Sequence, residues 1–478
     1  MQYDSPVSAA NIQAFLDAPA FSDTTAATIS SLLSLDTAQT VNVGTWDGVN
    51  APQVPAGQTA DVVVANIAGA HGDLVVLDVP ASLSSAKALV FQSDANLSVT
   101  IDAPAVAETA SSARAFAAAD ASTAIALAVT TGNGDDIVNV KGDQNTYIDA
   151  GNGNDTVTTG NGNNTVVAGA GNNTITTGTG NDTIILSGIA HADIVNAGGG
   201  YDVVQLDGSS ADFNVTAGNS NNVTLTSAAT GVGQTAAITD AEFLTFTNGS
   251  TIALAHSDAE ASALRLYEGL LGRDADATGA QHFTTQVDSG TSLTDIANQF
   301  LNSQEFGGAV TEGEINTLYT SILGRAADAG GSDTWEAIIA GGGTLAQVAA
   351  GIAGSVEAQQ LDQSNGTFVR DLYTNVLGRP ADDAGLDSWV SQLFNGTSRG
   401  EVAAGIVGSA EASAKADSTF IDNLYLTATG RASDEGGKAT WTDILANGGT
   451  HADVAIGIVG SPEAVAHNDN VVVLHGAV

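Results

Sequence analysis

The sequence predicts a multidomain chain of the β plus α class: a β-rich amino-terminal domain over residues 1–130, a parallel β-roll with a β cap over 131–255, and tandem all-α repeats over 256–478. Three observations predict this. A nine-residue period runs from Thr131 to Gln205, a period of about fifty residues recurs four times after Ser257, and the stretch before both alternates apolar and polar residues with no repeat.

Residues 1–130 open with short amphipathic stretches. They continue as strand-like runs, ADVVVANIAG at 60–69, GDLVVLDVP at 72–80, ALVFQ at 88–92 and LSVTIDAP at 97–104. Val and Ile between Gly, Asn and Pro breakers favour strands. The Ala-rich segment at 108–129 suits either a helix or a linker into the next region.

In the nine-residue array the best-kept turns are AGNGNDTVT from Ala150, TGNGNNTVV from Thr159, AGAGNNTIT from Ala168 and TGTGNDTII from Thr177. The eighth place is Val138, Ile148, Val157, Val166, Ile175, Ile184, Val195 and Val204, so each turn aims one apolar side chain at a shared interior. The Gly-rich half makes a tight turn at backbone angles that favour glycine, and the T-[VI] half makes a short strand. Extra residues near Val140 and at Leu186 and Ser187 interrupt the period.

This pattern resembles the G-G-x-G-x-D-x-U-x repeats of RTX proteins, which wind into a calcium-binding β-roll. The resemblance implies that sixth-place side chains, with turn carbonyls, ligate calcium between turns n and n+2, because successive turns lie on opposite sides of the roll. Oxygen-only donors suit a hard cation. The sixth place holds Asp136, Thr146, Asp155, Asn164, Asn173, Asp182, Asp193 and Asp202. Pairing alternate turns joins Asp136 with Asp155 and Asp182 with Asp202 as the leading calcium sites, with Asp193, Asn164 and Asn173 as further metal ligands. Asn keeps a carbonyl but removes a charge, and Thr146 removes the carboxylate, so middle sites should be weaker or empty. The competing reading is a calcium-free β-helix held by Asn ladders and the apolar stack. Residues 237–254, AITDAEFLTFTNGSTIAL, resemble the closing segment that follows RTX arrays, and a stacked solenoid needs such a cap. Within it Asp240 and Glu242 read as solvated acids or as ligands of a further ion.

The second repeat has anchors LYEGLLGRDADATGAQHF, LYTSILGRAADAGGSDTW, LYTNVLGRPADDAGLDSW and LYLTATGRASDEGGKATW, with Tyr267, Tyr319, Tyr373 and Tyr425 spaced by 52, 54 and 52. Ile315, Leu318, Tyr319, Ile322 and Leu323 follow the spacing of one helix face, and Gly324 stops that helix. Trp335 then opens a second helix, Leu345, Val348, Ala349 and Ile352 mark a third, and Ser303, Ser355, Ser409 and Ser461 cap a fourth, with Pro462 at a first helical position. These anchors resemble an uncharacterised repeat family of secreted bacterial proteins, distantly similar to phycobilisome linker repeats and found beside RTX arrays and in surface-layer proteins. Arg273, Arg325, Arg379 and Arg431, with Asp276, Asp328, Asp382 and Asp434, could serve sugar sites beside Trp335, Trp389 and Trp441. The favoured reading is that they build each repeat; Phe283 replaces Trp in the first, which suits packing.

Composition removes several functions. With 53 acidic and 12 basic residues the formal charge is −41, which opposes binding to nucleic acid or anionic lipid, and no apolar run is long enough for a membrane span. No cysteine exists for disulfides or thiolate metal sites. There is no H-E-x-x-H and no Walker loop, the one G-x-S-x-G string, at Gly396–Gly400, falls inside the third helical repeat rather than at a strand-to-helix elbow, and the histidines at 71, 191, 256, 282, 451, 467 and 475 read as isolated. The expectation is a secreted, non-enzymatic, calcium-binding protein of the bacterial surface or matrix, of surface-layer, adhesin or biofilm type. RTX resemblance implies type I secretion, and the tail DNVVVLHGAV and the missing amino-terminal signal peptide are compatible with it. Calcium is the expected partner. A homo-oligomer, layer or filament and cell-surface polysaccharide are further ones; the alternative function is a carbohydrate-binding surface module that holds polysaccharide, and after it an enzyme hidden in residues 1–130.

Overall fold

A computed structural model describes residues 6–102, 124–188, 191–228, 233, 235–468 and 470–474. Most of the Ala-rich segment lies outside the described residues, although Leu127–Thr130 at its end is a strand. The chain forms two units. The first runs to Ala261 and takes in residues 276–281 and the segment from Asn470; the second is the remainder.

The first unit is a parallel β-solenoid of two facing sheets, one of eleven strands and one of nine among the described residues. Consecutive strands of the nine-residue array go to opposite sheets, so each coil is two turns and its parallel neighbour lies 18 residues on where the period is unbroken. In the longer sheet this register stacks Val63, Leu89, Val129, Ile148, Val166, Ile184, Val204 and Leu244. In the other it stacks Leu77, Val99, Val138, Val157, Ile175, Val195 and Ile238. All are buried, and together they form one continuous core. Burying a Val or Ile side chain contributes roughly 1.5–3 kcal/mol, so the stacked interior is the main force holding the coils together.

Those stacks cross residue 130, where a domain boundary was expected. Ala88–Gln92 pairs with Leu127–Thr130 and Asn96–Asp102 pairs with Ile137–Lys141, so the amino-terminal strands are the first coils of the same solenoid. Their inward residues obey the same rule, but the connections between them differ in length, which erases the period. Two helices, Ala9–Leu16 and Asp23–Leu32, each capped by a serine, lay Ile12, Leu16 and Ile29 on the outer face of the longer sheet against Val62, Val64, Val90 and Tyr147. Thr25 fastens the second helix by hydrogen bonds to the Tyr147 hydroxyl and the Asp149 carboxylate.

At the far end the solenoid changes direction. Phe213–Ala217, Asn222–Ser227 and Thr235–Thr239 pair antiparallel in one sheet, and Phe243–Phe246 pairs antiparallel with Thr251–Ala255 in the other. Val471–Val473 then adds in parallel beside Thr251–Ala255. Val471–Val473 of the carboxy-terminal VVVL segment is therefore the edge strand of this sheet, paired on one side within its own chain.

The second unit is all-helical. Each repeat's Tyr-bearing helix ends at a glycine in the left-handed region, Gly272, Gly324, Gly378 or Gly430. Asp328, Asp382 and Asp434 cap the Trp-bearing helices Ala329–Ala340, Asp383–Phe394 and Glu435–Ala446, so Trp335 lies inside its helix rather than opening it. Ser303, Ser355, Ser409 and Ser461 are N-caps, each accepting from the backbone N–H three residues on. The junctions alternate. Gln304–Leu323 and Ala410–Thr429 are single helices that run from one repeat into the next, whereas Leu361 separates Val356–Gln360 from Asn365–Val376. The repeats also do not stack in sequence order only. Leu345–Ala353 and Arg399–Val407 of the second and third repeats share a core, with Gly400 against the backbone of Ala350. The first repeat meets the fourth, where Thr427 donates to the carbonyl of Gly269 and Gly269 faces Val459.

Candidate metal centre

Each edge of the solenoid is a stack of Gly-rich turns drawn close together. A Cβ on Gly153 would lie 2.1 Å from the carbonyl oxygen of Gly134 in the coil before, and one on Gly180 would lie 2.2 Å from that of Gly162. Only glycine allows this approach, and the result is a column of backbone carbonyls along each edge.

Beside those carbonyls the sixth-place side chains form two ladders. On one edge Asp136 Oδ1 accepts from Leu97 N–H at 2.7 Å, Asp155 Oδ1 from Asp136 N–H at 2.8 Å, Asn173 Oδ1 from Asp155 N–H at 2.9 Å, and Asp193 Oδ1 from Asn173 N–H at 2.8 Å. On the other, Asn164 accepts from Thr146 N–H at 3.1 Å, Asp182 from Asn164 N–H at 2.6 Å, Asp202 from Asp182 N–H at 2.7 Å, and Glu242 from Asp202 N–H at 2.6 Å. Asp136 and Asp155 are thus neighbours on one edge, and Asp182 and Asp202 on the other. An outer ladder runs the opposite way: Asn154 N–H donates to Asp135, Asn172 N–H to Asn154, and Asn181 N–H to Asn163. Glu242, read from sequence as a solvated acid or an ion ligand, is largely buried and closes the second ladder.

The first oxygen of each carboxylate is satisfied, and the second separates the positions. Oδ2 of Asp136, Asp155, Asp182 and Asp202 is buried without a hydrogen-bond partner. Burial pushes these acids up, Asp136 and Asp182 to about 6 and Asp155 and Asp202 to about 8. Burial also pushes Glu242 up to about 7. A buried carboxylate with a bare oxygen calls for a proton or a cation.

The remaining positions answer that demand internally. Asn164 donates its amide N–H groups to the Thr159 hydroxyl and the Gly160 and Gly162 carbonyls, and Asn173 donates to the Gly171 carbonyl. Asp193 Oδ2 is likewise buried without a regular hydrogen bond, but it lies in ion-pair contact with Nδ1 of buried His191, whose pKa the carboxylate raises. His256 stands between Glu242, at 3.8 Å, and Glu260, at 3.7 Å. Sequence reasoning treated both histidines as isolated. His191 carried a readable signal, because it occupies the fourth place of its turn, where Gly153, Gly162, Gly171 and Gly180 stand in others.

Among the described residues no three acidic or histidine side chains converge on one point. The donor set at either Asp pair is therefore two carboxylates with neighbouring turn carbonyls, all oxygen, which fits a hard divalent cation such as calcium.

In the helical repeats the recurring Arg and Trp residues are matched within the chain. Arg325 grips Glu357 with Nε at 2.7 Å and Nη2 at 2.8 Å, bonds Asp328 and the Ala326 carbonyl, and covers the Tyr319 ring. Arg379 with Glu411 and Arg431 with Glu463 repeat this latch, and Arg273 pairs with Glu305. Trp335, Trp389 and Trp441 each donate to the Tyr hydroxyl of their own repeat at 3.2 Å and lie over Gly351, Gly405 and Gly457. These residues build the repeats.

A β-solenoid with carboxylate ladders, continued by paired helical repeats, is the class this geometry defines. Residues 149–184 match the RTX calcium-binding nonapeptide repeat, and residues 257–310, 307–362, 359–416 and 412–468 match a domain of unknown function, DUF4214. The chain thus joins an RTX array to four carboxy-terminal copies of that domain. No curated protein and no solved structure matches it. No helix among the described residues is long and apolar enough to cross a membrane.

Proposed function

We propose that this is a secreted calcium-binding structural protein of the bacterial surface or extracellular matrix, without enzymatic activity. The observation that carries the reading is the stacking of Asp136 on Asp155 and of Asp182 on Asp202, each with a buried, unpartnered second oxygen beside turn carbonyls. Those four residues would hold calcium, and the ion would supply the positive charge that the chain, at −41, does not. Repulsion among unmatched acids disfavours the solenoid where calcium is scarce; millimolar calcium outside the cell neutralises them, and binding energy becomes folding energy. Export by a type I route through a carboxy-terminal signal fits this order of events. Self-association is a later step of this reading, and a carbohydrate-binding surface module is the alternative to it.

Calcium titration of chelator-stripped protein, followed by far-UV circular dichroism and light scattering, tests it. Gain of β signal and of melting temperature is expected, with chelator-reversible growth in particle size if copies assemble. Identical β content and melting temperature with and without calcium would overturn it.

A further inference from the structure

We propose that Asn164 and Asn173 are built-in substitutes for calcium, so that ion loading is confined to the Asp136–Asp155 and Asp182–Asp202 pairs and the middle of the array folds without metal. This rests on the calcium reading above and goes further, because it divides positions that the nonapeptide pattern treats as equivalent.

The amide of Asn164 reaches the Thr159 hydroxyl and the carbonyls of Gly160 and Gly162, at 3.1, 3.1 and 2.6 Å. These are the first, second and fourth places of its own turn, the oxygens that face the sixth-place side chain. Asn173 repeats the fourth-place contact at 3.2 Å to Gly171. An Asn side chain thus performs both tasks required at the sixth place. Its oxygen accepts the ladder N–H, as an Asp oxygen does, and its N–H groups give the turn carbonyls the positive partner a cation would give. An Asp at the same place performs only the first, and its other oxygen is left bare at each of the four paired positions. Asp193 completes the division, since its second oxygen already faces His191.

The two Asn positions lie next to each other in the chain of coils, one on each edge, and both ladders run through them. Asp155 rests on Asn173, and Asn164 rests on Asp182. A metal-independent segment around residues 159–176 is therefore flanked by metal-dependent coils on both sides. Calcium acts from this segment outward, extending a seed that is already satisfied.

Isosteric exchange in both directions tests this on the full-length protein, with bound calcium counted by native mass spectrometry and calcium-free β content read by circular dichroism. Asp182→Asn should take one ion fewer than the wild type and hold more β structure without calcium. Asn164→Asp and Asn173→Asp should each take one ion more and hold less β structure when stripped. The proposal is overturned if Asp182→Asn loses calcium-free structure, or if the Asn→Asp variants bind the same number of ions as the wild type. A wild type that binds no calcium at millimolar concentration sinks the calcium reading itself; a wild type that loads every coil edge sinks only the confinement to the Asp pairs.

Discussion

The two units of this chain are both made of repeats, yet they meet the problem of charge in opposite ways. In the helical unit every repeat carries its own cation: an Arg on a Tyr ring closes on a Glu 32 residues later, as in Arg325 with Glu357. In the solenoid the repeating acid faces inward, and four of the carboxylates have no cation of the chain opposite them. A repeat that includes its counter-charge is complete wherever it is placed. One that omits it depends on its surroundings for a proton or a cation.

Acidity gives the widest separation between the two units. Without calcium, folded Asp155 and Asp202, at about 8, and Asp136 and Asp182, at about 6, hold protons that an unfolded chain has released above pH 4. The contribution of these groups to the metal-free solenoid should therefore be full at about pH 4 and below, and on the order of several kcal/mol should be lost between about pH 4 and pH 8. The helical unit has the reverse sign. Glu357, Glu411 and Glu463 are held below the usual carboxylate range by their Arg partners, so that contribution is present at neutral pH and lost as pH falls through those depressed values. Calorimetry in chelator should show the solenoid transition falling between about pH 4 and pH 8 while the helical one holds steady there and falls only below about pH 4.5; parallel movement would break the comparison.

Packing comes next. Ile184→Ala removes a fully buried member of the longer sheet's stack and should cost about 2–5 kcal/mol, read as an earlier β transition with the helical one unmoved. Glycine substitutions sharpen the same point. At Gly153, with φ +142°, an added methyl meets the carbonyl of Gly134, so Gly153→Ala should cost about 2–4 kcal/mol. At Gly342, with φ +91° and open space around it, Gly342→Ala should cost only about 1–2 kcal/mol. Equal shifts in denaturant midpoint would show that backbone angle alone, and not the approach of the coils, governs both. The smallest effect belongs to the Arg latch: Glu357→Gln should lower the helical transition slightly and leave calcium binding untouched, because the pair is exposed to solvent.

Much of this architecture could be read from residue order. The eighth-place residues from Val138 to Val204 are the inner stack, and the four capping serines and Gly324 are where spacing places them. Local rules suffice there, since a cap or an inward Val depends on a few neighbours. Val63, Leu77, Leu89 and Val99 escaped because their coils have connections of unequal length, so identical packing leaves no period. Pairing of the second repeat with the third and of the first with the fourth depends on contacts such as Gly400 with Ala350, which no repeat-by-repeat reading contains. Within the candidate site the Asp pairs were legible as neighbours. The second task of Asn164 and Asn173 was not, because it lies in where an amide N–H points rather than in which residue occupies the place.

Val471–Val473 lies beside Thr251–Ala255, although about 215 residues of chain separate them. The helical unit is in this sense an insertion whose two ends are stitched to adjacent strands. Synthesis runs in one direction, so the solenoid's sheet cannot receive its outermost strand until all four helical repeats have been translated. Closing so long a loop adds an entropic cost that grows only slowly with its length, and the delay is therefore one of order more than of energy. The last seam of the β unit thus serves as a timer: it shuts only on a chain whose helical part is already made.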